Sequence, residues 1–351
     1  MNLKLLSGYK NIDLRSEKEF HKGTIPGSVN IPILSNDEFE NVGKEYKNKG
    51  QEAAISLGLQ LVKGDLKKKR INAWKNHLNN NPGCLIFCYR GGLRSKIAQE
   101  WIEKENIKVQ RISGGYKKFR SNIIGEHVDT KYDNKKWIII GGLTGSGKTN
   151  LLNKCKEGID LENIANHRGS AFGKNILSQP SQADFENELT LKYINHPHLS
   201  ILLEDESRSI GRVTLPGTWY EKMQTSKLVV LEVSTDERVN NILDEYVFQV
   251  LKKSNNVQQL LNQYLFSLEK IKKRLGGKLF KEISNLMIKA FKMDHLDSHK
   301  KWISKLLIGY YDPMYNYKLK LRKEYVVHIG DDTSCFNYLK KQGSLRKHKV
   351  R

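Results

Sequence analysis

Short apolar runs alternate with amphipathic stretches through the first third of the chain. Residues 37–81 have a polar pattern of helical period, and an amphipathic run covers 96–104. Strands that alternate with helices predict a parallel sheet with helices on both faces, which we place at residues 1–130. Four runs have the length and the flanking turn residues of buried strands: 11–14, 29–32, 84–87 and 109–112.

A second group of apolar runs predicts a second sheet. These runs are continuous rather than alternating, as expected for parallel strands that are buried on both faces. They lie at 137–141, 200–203 and 228–233. A glycine-rich loop follows the first run and an acidic cluster follows the second, so we predict an α/β domain at residues 135–240.

Beyond residue 240 the apolar positions recur at helical spacing, most clearly at 257–275. The whole chain has a net charge of +22, and residues 252–351 hold 23 Lys and Arg against 8 Asp and Glu, a net charge of +15. We therefore predict a helical, basic C-terminal region at 241–351, packed on the second domain. A polyanion such as nucleic acid would explain the charge, and a composition rich in Lys, Asn and Ile is the alternative explanation.

Composition excludes several classes of protein. No apolar run approaches the about 20 residues that a membrane helix needs, and the N-terminal residues lack the apolar core of a signal peptide. The 4 cysteines lack zinc-ribbon spacing and suit a reducing compartment. We expect a cytoplasmic protein without membrane contact, and its 351 residues are enough for two domains.

The run CYRGGLRS at 88–95 follows a predicted strand and opens a predicted helix. Its glycines let several backbone N–H groups point to one spot, and the helix N-terminus adds positive charge there. Arg90 and Arg94 add full charges. This setting favours a thiolate with an anion beside it, so Cys88 is the candidate nucleophile and the two arginines are its partners. The alternative is a buried structural thiol.

The run GLTGSGKT at 142–149 fits the phosphate-binding pattern G-x-x-x-x-G-K-[ST] between a predicted strand and a predicted helix. Backbone N–H groups of such a loop wrap a phosphate, and its glycines permit that curvature. The glycines of this run are Gly142, Gly145 and Gly147. Lys148 supplies a point charge, and the Thr149 hydroxyl can bind Mg²⁺. A chance glycine turn is the alternative.

Two further clusters accompany this loop. An EDE run follows the second strand of the domain, and in P-loop proteins an acid at that place binds the metal. We favour Asp205 for that role over Glu204. The segment NHRGSAFG at 166–173 sets His167 and Arg168 among glycines, a composition that suits a second anion site. An ordinary charged loop and a capped turn are the respective alternatives.

Three motifs in order resemble a rhodanese domain over about residues 1–125: the cysteine loop, the segment DLRSEKEFHKGTIPGS at 13–28 and the SGGY turn at 113–116. With the P-loop, the NHRGSAFG and EDESRSIG segments and a polar insert at 36–47, the chain resembles the tRNA 2-selenouridine synthase family over about residues 5–330. The implied fold is a rhodanese-like parallel sheet domain joined to a P-loop NTPase-like α/β domain with a helical, basic C-terminal region.

The resemblance implies a transferase that replaces sulfur by selenium in the wobble 2-thiouridine of tRNA, through an S-geranyl intermediate. Its substrates would be selenophosphate and geranyl diphosphate, and Cys88 would carry selenium as a selenosulfide. The tRNA would present its anticodon loop, and a selenophosphate-forming enzyme would be a further partner. Whether Mg²⁺ or a nucleotide also binds stays open here.

Two other functions stay open at this point. One is an ATP-dependent sulfurtransferase or kinase that acts on a small molecule. The other is an RNA-binding protein without catalytic activity. Intact cysteine and P-loop motifs argue against the latter, because loss of activity would leave gaps in them.

Overall fold

The computed structural model describes residues 3–344 apart from positions 7, 131, 176, 255 and 294. The chain forms two compact units, one made of Met1–Thr130 and Pro180–Asn195, the other of Lys131–Gln179 and His196–Arg351. Across the described ranges, no helix is both long and apolar enough to cross a membrane. The mixed α/β fold class predicted from the sequence is confirmed.

The strands of the described residues are numbered in chain order: β1 (Ile12–Asp13), β2 (Val29–Asn30), β3 (Ile86–Phe87), β4 (Lys136–Gly141), β5 (Ser200–Glu204), β6 (Ser209–Ile210), β7 (Val213–Thr214), β8 (Lys227–Leu231) and β9 (Val326–Gly330). The α-helices are α1 (Glu17–His21), α2 (Asn36–Leu61), α3 (Gly64–Asn80), α4 (Leu93–Glu103), α5 (Gly115–Asp129), α6 (Lys148–Asn153), α7 (Leu161–Ala165), α8 (Gln182–Ile194), α9 (Gly217–Gln224), α10 (Thr235–Ile242), α11 (Gln249–Ser254), α12 (Val257–Leu275), α13 (Gly277–Lys292), α14 (Lys300–Leu306), α15 (Asp312–Leu321) and α16 (Asp332–Ser344). Short 3₁₀ or π-helical turns complete the set: Leu3–Leu6, Leu243–Phe248, Leu296–His299, Leu307–Tyr311 and Lys323–Tyr325.

In the first unit, a parallel sheet of order β2-β1-β3 places the cysteine loop directly after β3. The predicted fourth strand at 109–112 is reduced to an isolated bridge between Ile86 and Arg111. The Ile86 N–H donates to the Gln110 carbonyl at 3.0 Å, and the Ile112 N–H donates to the Ile86 carbonyl at 3.0 Å. The chain leaves the sheet there because the next residues turn back toward the cysteine loop.

The polar insert forms two helices, α2 and α3, as its helical pattern predicts. A capping box of Ser35 and Glu38 begins α2, since each side chain accepts a hydrogen bond from the other residue's backbone N–H. The helix kinks at Gly50, whose φ of 85° lies in the left-handed region that favours glycine. The kink lets one continuous stretch curve along the side of the first unit's core.

Helix α8 lies between two P-loop strands in sequence, yet it packs in the first unit. The Thr24 N–H donates to Asp184 Oδ1 at 2.8 Å, and the Asn187 amide donates to the Thr24 carbonyl at 2.7 Å. Leu191 joins the apolar core beneath the sheet. The sequence contained no signal for this exchange, because the helix is amphipathic whichever unit receives it.

In the second unit, four parallel strands have the order β5-β4-β8-β9. The central strand β4 leads into the P-loop, and β5 ends in the acidic run. The edge strand β9 was missed, because the region after residue 240 was predicted to be wholly helical. Its burial alternates between half-buried and exposed positions, so its apolar signal is weak.

The other elements after residue 240 are helical, and the predicted helix at 257–275 coincides with α12. Its apolar face forms a core with α10, α13 and α14, in which Tyr264 and Trp302 are nearly inaccessible. The basic residues at the C-terminal end of α12 lie where a helix favours positive charge.

Candidate functional sites

The cysteine loop sets Cys88 at the end of β3 with its side chain turned toward the first turn of α4. The thiol donates a hydrogen bond to Ser95 Oγ at 3.4 Å, and the Ser95 hydroxyl donates to the Gly92 carbonyl at 2.9 Å. Cys88 is 3% exposed, whereas its neighbours Tyr89 and Arg90 are exposed. The sulfur is thus buried beneath a loop whose next two residues face solvent.

The turn at 113–116 holds this loop in place from the other side. The Tyr116 N–H donates to the Cys88 carbonyl at 3.0 Å, and the Lys117 N–H donates to the Tyr89 carbonyl at 2.7 Å. Gly115 has a φ of +57°, and a Cβ there would lie 2.2 Å from the Cys88 carbonyl oxygen. Only glycine fits so close an approach, so the SGGY turn is a structural partner of the cysteine loop.

The two predicted arginine partners differ in their surroundings. Arg94 donates to both carboxylate oxygens of Glu19, at 2.5 and 3.0 Å. Burial raises the pKa of Glu19, but the hydrogen bonds and charge of Arg94 outweigh it and hold the pKa below its ordinary value. Arg90 is exposed, and no ion pair engages it within the described part of the chain. Arg90 is therefore the cation available to an incoming anion.

A buried ion pair supports the sheet beside this loop. Arg15 and Asp13 are 2% and 0% exposed, and the guanidinium donates to both carboxylate oxygens. The guanidinium also lies over the Tyr116 ring at 4.0 Å and donates to the Gly23 carbonyl at 2.7 Å. These contacts fix the rhodanese-like segment at 13–28 against the SGGY turn, which explains why the two motifs occur together.

In the second unit, the P-loop borders a cavity of about 240 Å³. The cavity also receives side chains from the segment after α7, the acidic run after β5 and the helix α15. Sequence-predicted residues in its lining are Gly142, Gly145, Gly147, Lys148, Thr149, Arg168 and Asp205. His167 is buried and does not line it, and burial lowers its pKa. The fold thus brings all the predicted P-loop residues to the cavity and the other two predicted clusters in part, since neither His167 nor Glu204 lines it.

Around the P-loop, Glu204 rather than Asp205 approaches the predicted metal-binding hydroxyl. The Thr149 hydroxyl donates to Glu204 Oε1 and lies 3.4 Å from Glu162 Oε2. Lys148 Nζ donates to the Gly142 carbonyl at 2.9 Å. Because Lys148 and Thr149 begin α6, their positions follow from the loop backbone.

Asp205 has a different partner. Its carboxylate accepts from Arg322, which is 6% exposed and also donates to the carbonyls of Met223 and Gln224. This ion pair neutralises Asp205 and ties the acidic run to the chain just after α15. Arg322 is thus a buried partner of the acidic run and not a surface cation.

Three glutamates give the cavity an unusual electrostatic character. Burial raises the pKa of Glu204 to about 8, with repulsion from Glu206 as the next cause. Burial and the charges of Glu204 and Glu206 likewise raise the pKa of Glu162. Without a cation, the carboxyl groups of Glu162 and Glu204 resist ionisation at neutral pH.

The residues fit a Mg²⁺ ion. Glu204 Oε2 is buried without a hydrogen-bond partner among the described residues, beside the Thr149 hydroxyl. In the same ranges, no group of three or more His, Cys, Asp or Glu residues could hold a metal ion by itself. Mg²⁺ in phosphate-transfer sites takes one or two protein ligands and completes its shell with phosphate oxygens and water. Thr149 and Glu204 suit that role.

The structure adds cavity residues to which the sequence gave no role beside the P-loop: Glu162, Glu206, Glu245, Tyr246, Tyr310, Tyr311, Tyr315 and Lys318. The Tyr246 hydroxyl lies 3.1 Å from Ser170 Oγ, and its ring lies 5.0 Å from the Arg168 guanidinium. Glu206 belongs to the EDE run and was within reach of sequence reasoning. Glu162 lies in α7 and Tyr246 in the π-helical turn Leu243–Phe248, and no local pattern marks either residue.

Comparisons with known proteins match these two units. The family profile described as the tRNA 2-selenouridine synthase AAA domain matches residues 135–345, and the rhodanese-like domain profile matches 3–122. A tRNA 2-selenouridine synthase from Shewanella sp. strain ANA-3 is 42% identical over 348 residues, 95% of each chain. Another, from Shewanella frigidimarina, is 41% identical over 356 residues, 97% of this chain and 96% of that protein.

One solved structure is also similar. The N-terminal domain of a protein from Clostridium difficile 630, described as ATP/GTP binding, is 31% identical, with a TM-score of 0.32. The match covers 34% of this chain and 95% of that domain.

Proposed function

This chain belongs to the tRNA 2-selenouridine synthase family and is therefore a tRNA-modifying transferase, and on that premise we propose how its two loops divide the reaction. The P-loop cavity binds geranyl diphosphate and transfers its geranyl group to the sulfur of wobble 2-thiouridine. The Cys88 loop then supplies selenium from selenophosphate and replaces the geranylated sulfur. Family membership leaves the small-molecule and non-catalytic alternatives without support.

The single observation that carries this division is the difference in what the two loops present. One offers a thiol beside an exposed arginine, Arg90, and the other offers Lys148 with a carboxylate–hydroxyl pair that suits Mg²⁺. Replacing the geranylated sulfur needs a nucleophile that attacks the base and a cation that holds selenophosphate, whereas a diphosphate leaving group needs a lysine and a divalent ion.

Residue roles follow from these contacts. The Cys88 thiolate displaces geranylthiolate from C2 of the base, and the selenium of selenophosphate, held by Arg90 and the loop N–H groups, then displaces Cys88 from that carbon. Water cleaves the P–Se bond and releases phosphate. Arg94 fixes the first turn of α4 through Glu19. At the P-loop, the backbone N–H groups and Lys148 bind the diphosphate, and Thr149 and Glu204 would hold Mg²⁺. That ion, when bound, would neutralise charge on the leaving group. Arg168 lies in the same cavity and adds a cation for the diphosphate.

The basic C-terminal region supplies a surface for the tRNA backbone, and the anticodon loop offers an unpaired base. The test is to incubate the full-length protein with a 2-thiouridine anticodon stem-loop, geranyl diphosphate and selenophosphate, and to weigh the nucleosides. We expect S-geranyl-2-thiouridine when selenophosphate is withheld and 2-selenouridine when both substrates are present. Formation of 2-selenouridine without any geranyl donor or S-geranyl base would contradict the proposal.

A further inference from the structure

The first unit contains a second cavity that the proposed roles of the two loops do not use. It measures about 360 Å³ and lies between the insert helix α2 and the cysteine-loop helix α4. This volume is at the lower end of the about 300–1,000 Å³ that small-ligand pockets occupy. The cavity lies entirely within residues 33–101, so its shape depends on this unit alone.

The lining of this cavity is almost wholly hydrocarbon. Apolar side chains face it from both helices, and Arg94 is the one charged group among its described lining residues. Leu59 and Leu93 at its edge are 45% and 43% exposed. Apolar side chains left open to water at a concave site mark a binding surface for an apolar group.

The cavity adjoins the cysteine loop through one turn of helix. Leu93 and Arg94 begin α4 and line the cavity, and the next residue, Ser95, accepts the hydrogen bond from the Cys88 thiol at 3.4 Å. A base whose reacting carbon is presented to Cys88 therefore has an apolar cavity beside it for any hydrocarbon substituent.

The character of the walls selects the kind of ligand. The Arg94 guanidinium lies over the Phe39 ring at 4.8 Å, and Glu19 neutralises its charge, so Arg94 adds no uncompensated charge to the wall. A neutral hydrocarbon chain complements such a cavity. A small oxyanion such as selenophosphate would gain nothing from the apolar walls.

We propose that this cavity binds the geranyl chain of the S-geranyl-2-thiouridine base while Cys88 acts on that base. The inference rests on the proposed function and deepens it, because it explains how the selenium step recognises its intermediate. Binding the chain would place at the cysteine loop the bond between the base carbon and the geranylated sulfur, which is the bond that must break. It would also discriminate against tRNA that has not yet been geranylated.

The test compares the affinity of the full-length protein for two anticodon stem-loops, one with S-geranyl-2-thiouridine and one with 2-thiouridine. Ala54 is 5% exposed and lines the cavity, so Ala54→Phe fills it. Ser56→Phe adds the same side chain at an exposed position of the same helix and is the matched control. The ratio of the two affinities cancels any general effect on tRNA binding.

We expect the wild-type protein and Ser56→Phe to prefer the geranylated stem-loop. In Ala54→Phe this preference should fall about tenfold or more, because each methylene displaced from an apolar cavity lowers affinity about fourfold. Leu59→Asn changes only the exposed rim, so it folds even if Ala54→Phe does not, and it should reduce the preference about threefold. Thermal unfolding checks that each variant is folded.

Three outcomes would overturn the inference. The first is that the wild-type protein binds both stem-loops equally while still converting the geranylated one. The second is that the preference for the geranylated stem-loop survives in both Ala54→Phe and Leu59→Asn. The third is that these variants lose affinity only for free geranyl diphosphate, which would assign the cavity to the donor. Failure of the wild-type protein to convert the geranylated stem-loop would instead contradict the proposed function, so the two failures are distinguishable.

Discussion

The cysteine loop of the first unit and the P-loop of the second both follow a buried parallel strand and both open a helix, yet their charged surroundings differ. Beside Cys88, one arginine is neutralised by Glu19 and the other, Arg90, is exposed. Beside Lys148, the cavity lining holds three cations and four carboxylates, and buried Glu204 stands directly behind it. The first site is ready for an anion, whereas the second needs a cation to accompany its anion.

In both units, the glycine-rich loop fixes the direction of the backbone N–H groups but does not fix the charge of the site. That charge comes from distant segments, here the helix α7 and the run after β5. If the two loops have separate tasks, changes at one should leave the chemistry of the other intact. The following predictions test that separation, from the largest expected effect to the smallest.

Replacing the nucleophile should give the largest effect. Cys88→Ala removes the only sulfur of its loop, so we expect 2-selenouridine formation to fall below detection while S-geranyl-2-thiouridine accumulates. Mass analysis of nucleosides from the reaction measures both. Cys84→Ala, at a second buried cysteine just before the preceding strand, is the control and should still make the seleno product. Normal selenium incorporation in Cys88→Ala would break the assignment of the two loops.

Loss of the P-loop cation should weaken the other site. We expect Lys148→Ala to lower the affinity for geranyl diphosphate about tenfold or more, because a charge-assisted hydrogen bond to the diphosphate is lost. Titration calorimetry with Mg²⁺ present measures it. Lys154→Ala, at the exposed end of the same short helix, is the matched control. Equal affinities for the wild-type protein and Lys148→Ala would place the diphosphate elsewhere.

The SGGY turn offers a structural test of the cysteine site. Gly115→Ala forces a Cβ against the Cys88 carbonyl at positive φ, so we expect the free energy of unfolding of the first unit to fall by about 2 kcal/mol or more. Gly125→Ala, in the interior of the same helix with open space around it, should raise it by about 0.5–1 kcal/mol. Urea unfolding measures both, and two variants of equal stability would show that the close approach does not matter.

The smallest expected effect concerns the buried glutamate of the P-loop. Burial raises the pKa of Glu204 from 4.5 to about 8, so its neutral form contributes stability that is complete below pH 4.5 and is lost as the pH rises through about 8. Glu204→Gln cannot ionise. Its unfolding free energy, relative to that of the ligand-free wild-type protein, should therefore rise by about 1.4 kcal/mol or more over this interval.

Urea unfolding at several pH values without Mg²⁺ measures this difference, and Glu232→Gln at an exposed position controls for the lost charge. A pH-independent difference for Glu204→Gln would show that the carboxyl group is already ionised, and the P-loop cavity would then not need a cation. The same variant should bind geranyl diphosphate less tightly when Mg²⁺ is present, since one of the ion's two candidate ligands has lost its charge.

Local patterns were sufficient for much of the fold. The strands at 137–141 and 200–203 and the helix at 257–275 follow from continuous apolar runs or helical periodicity, which depend only on neighbouring residues. The strand predicted at 109–112 is reduced to a single bridge, because a turn ends the pairing before the apolar run does. Strand β9 was missed because an edge strand with alternating exposure contains few apolar residues.

The sequence by itself determined the two loops and the chemical groups at their tips, because a cysteine or a lysine among glycines needs only its own neighbours to reach its geometry. Only the tertiary structure decided which charges surround them. It paired Asp205 with Arg322, brought Glu204 to Thr149, and moved α8 into the first unit. Such pairings join residues far apart in the chain, and they depend on packing and desolvation, which no local pattern records.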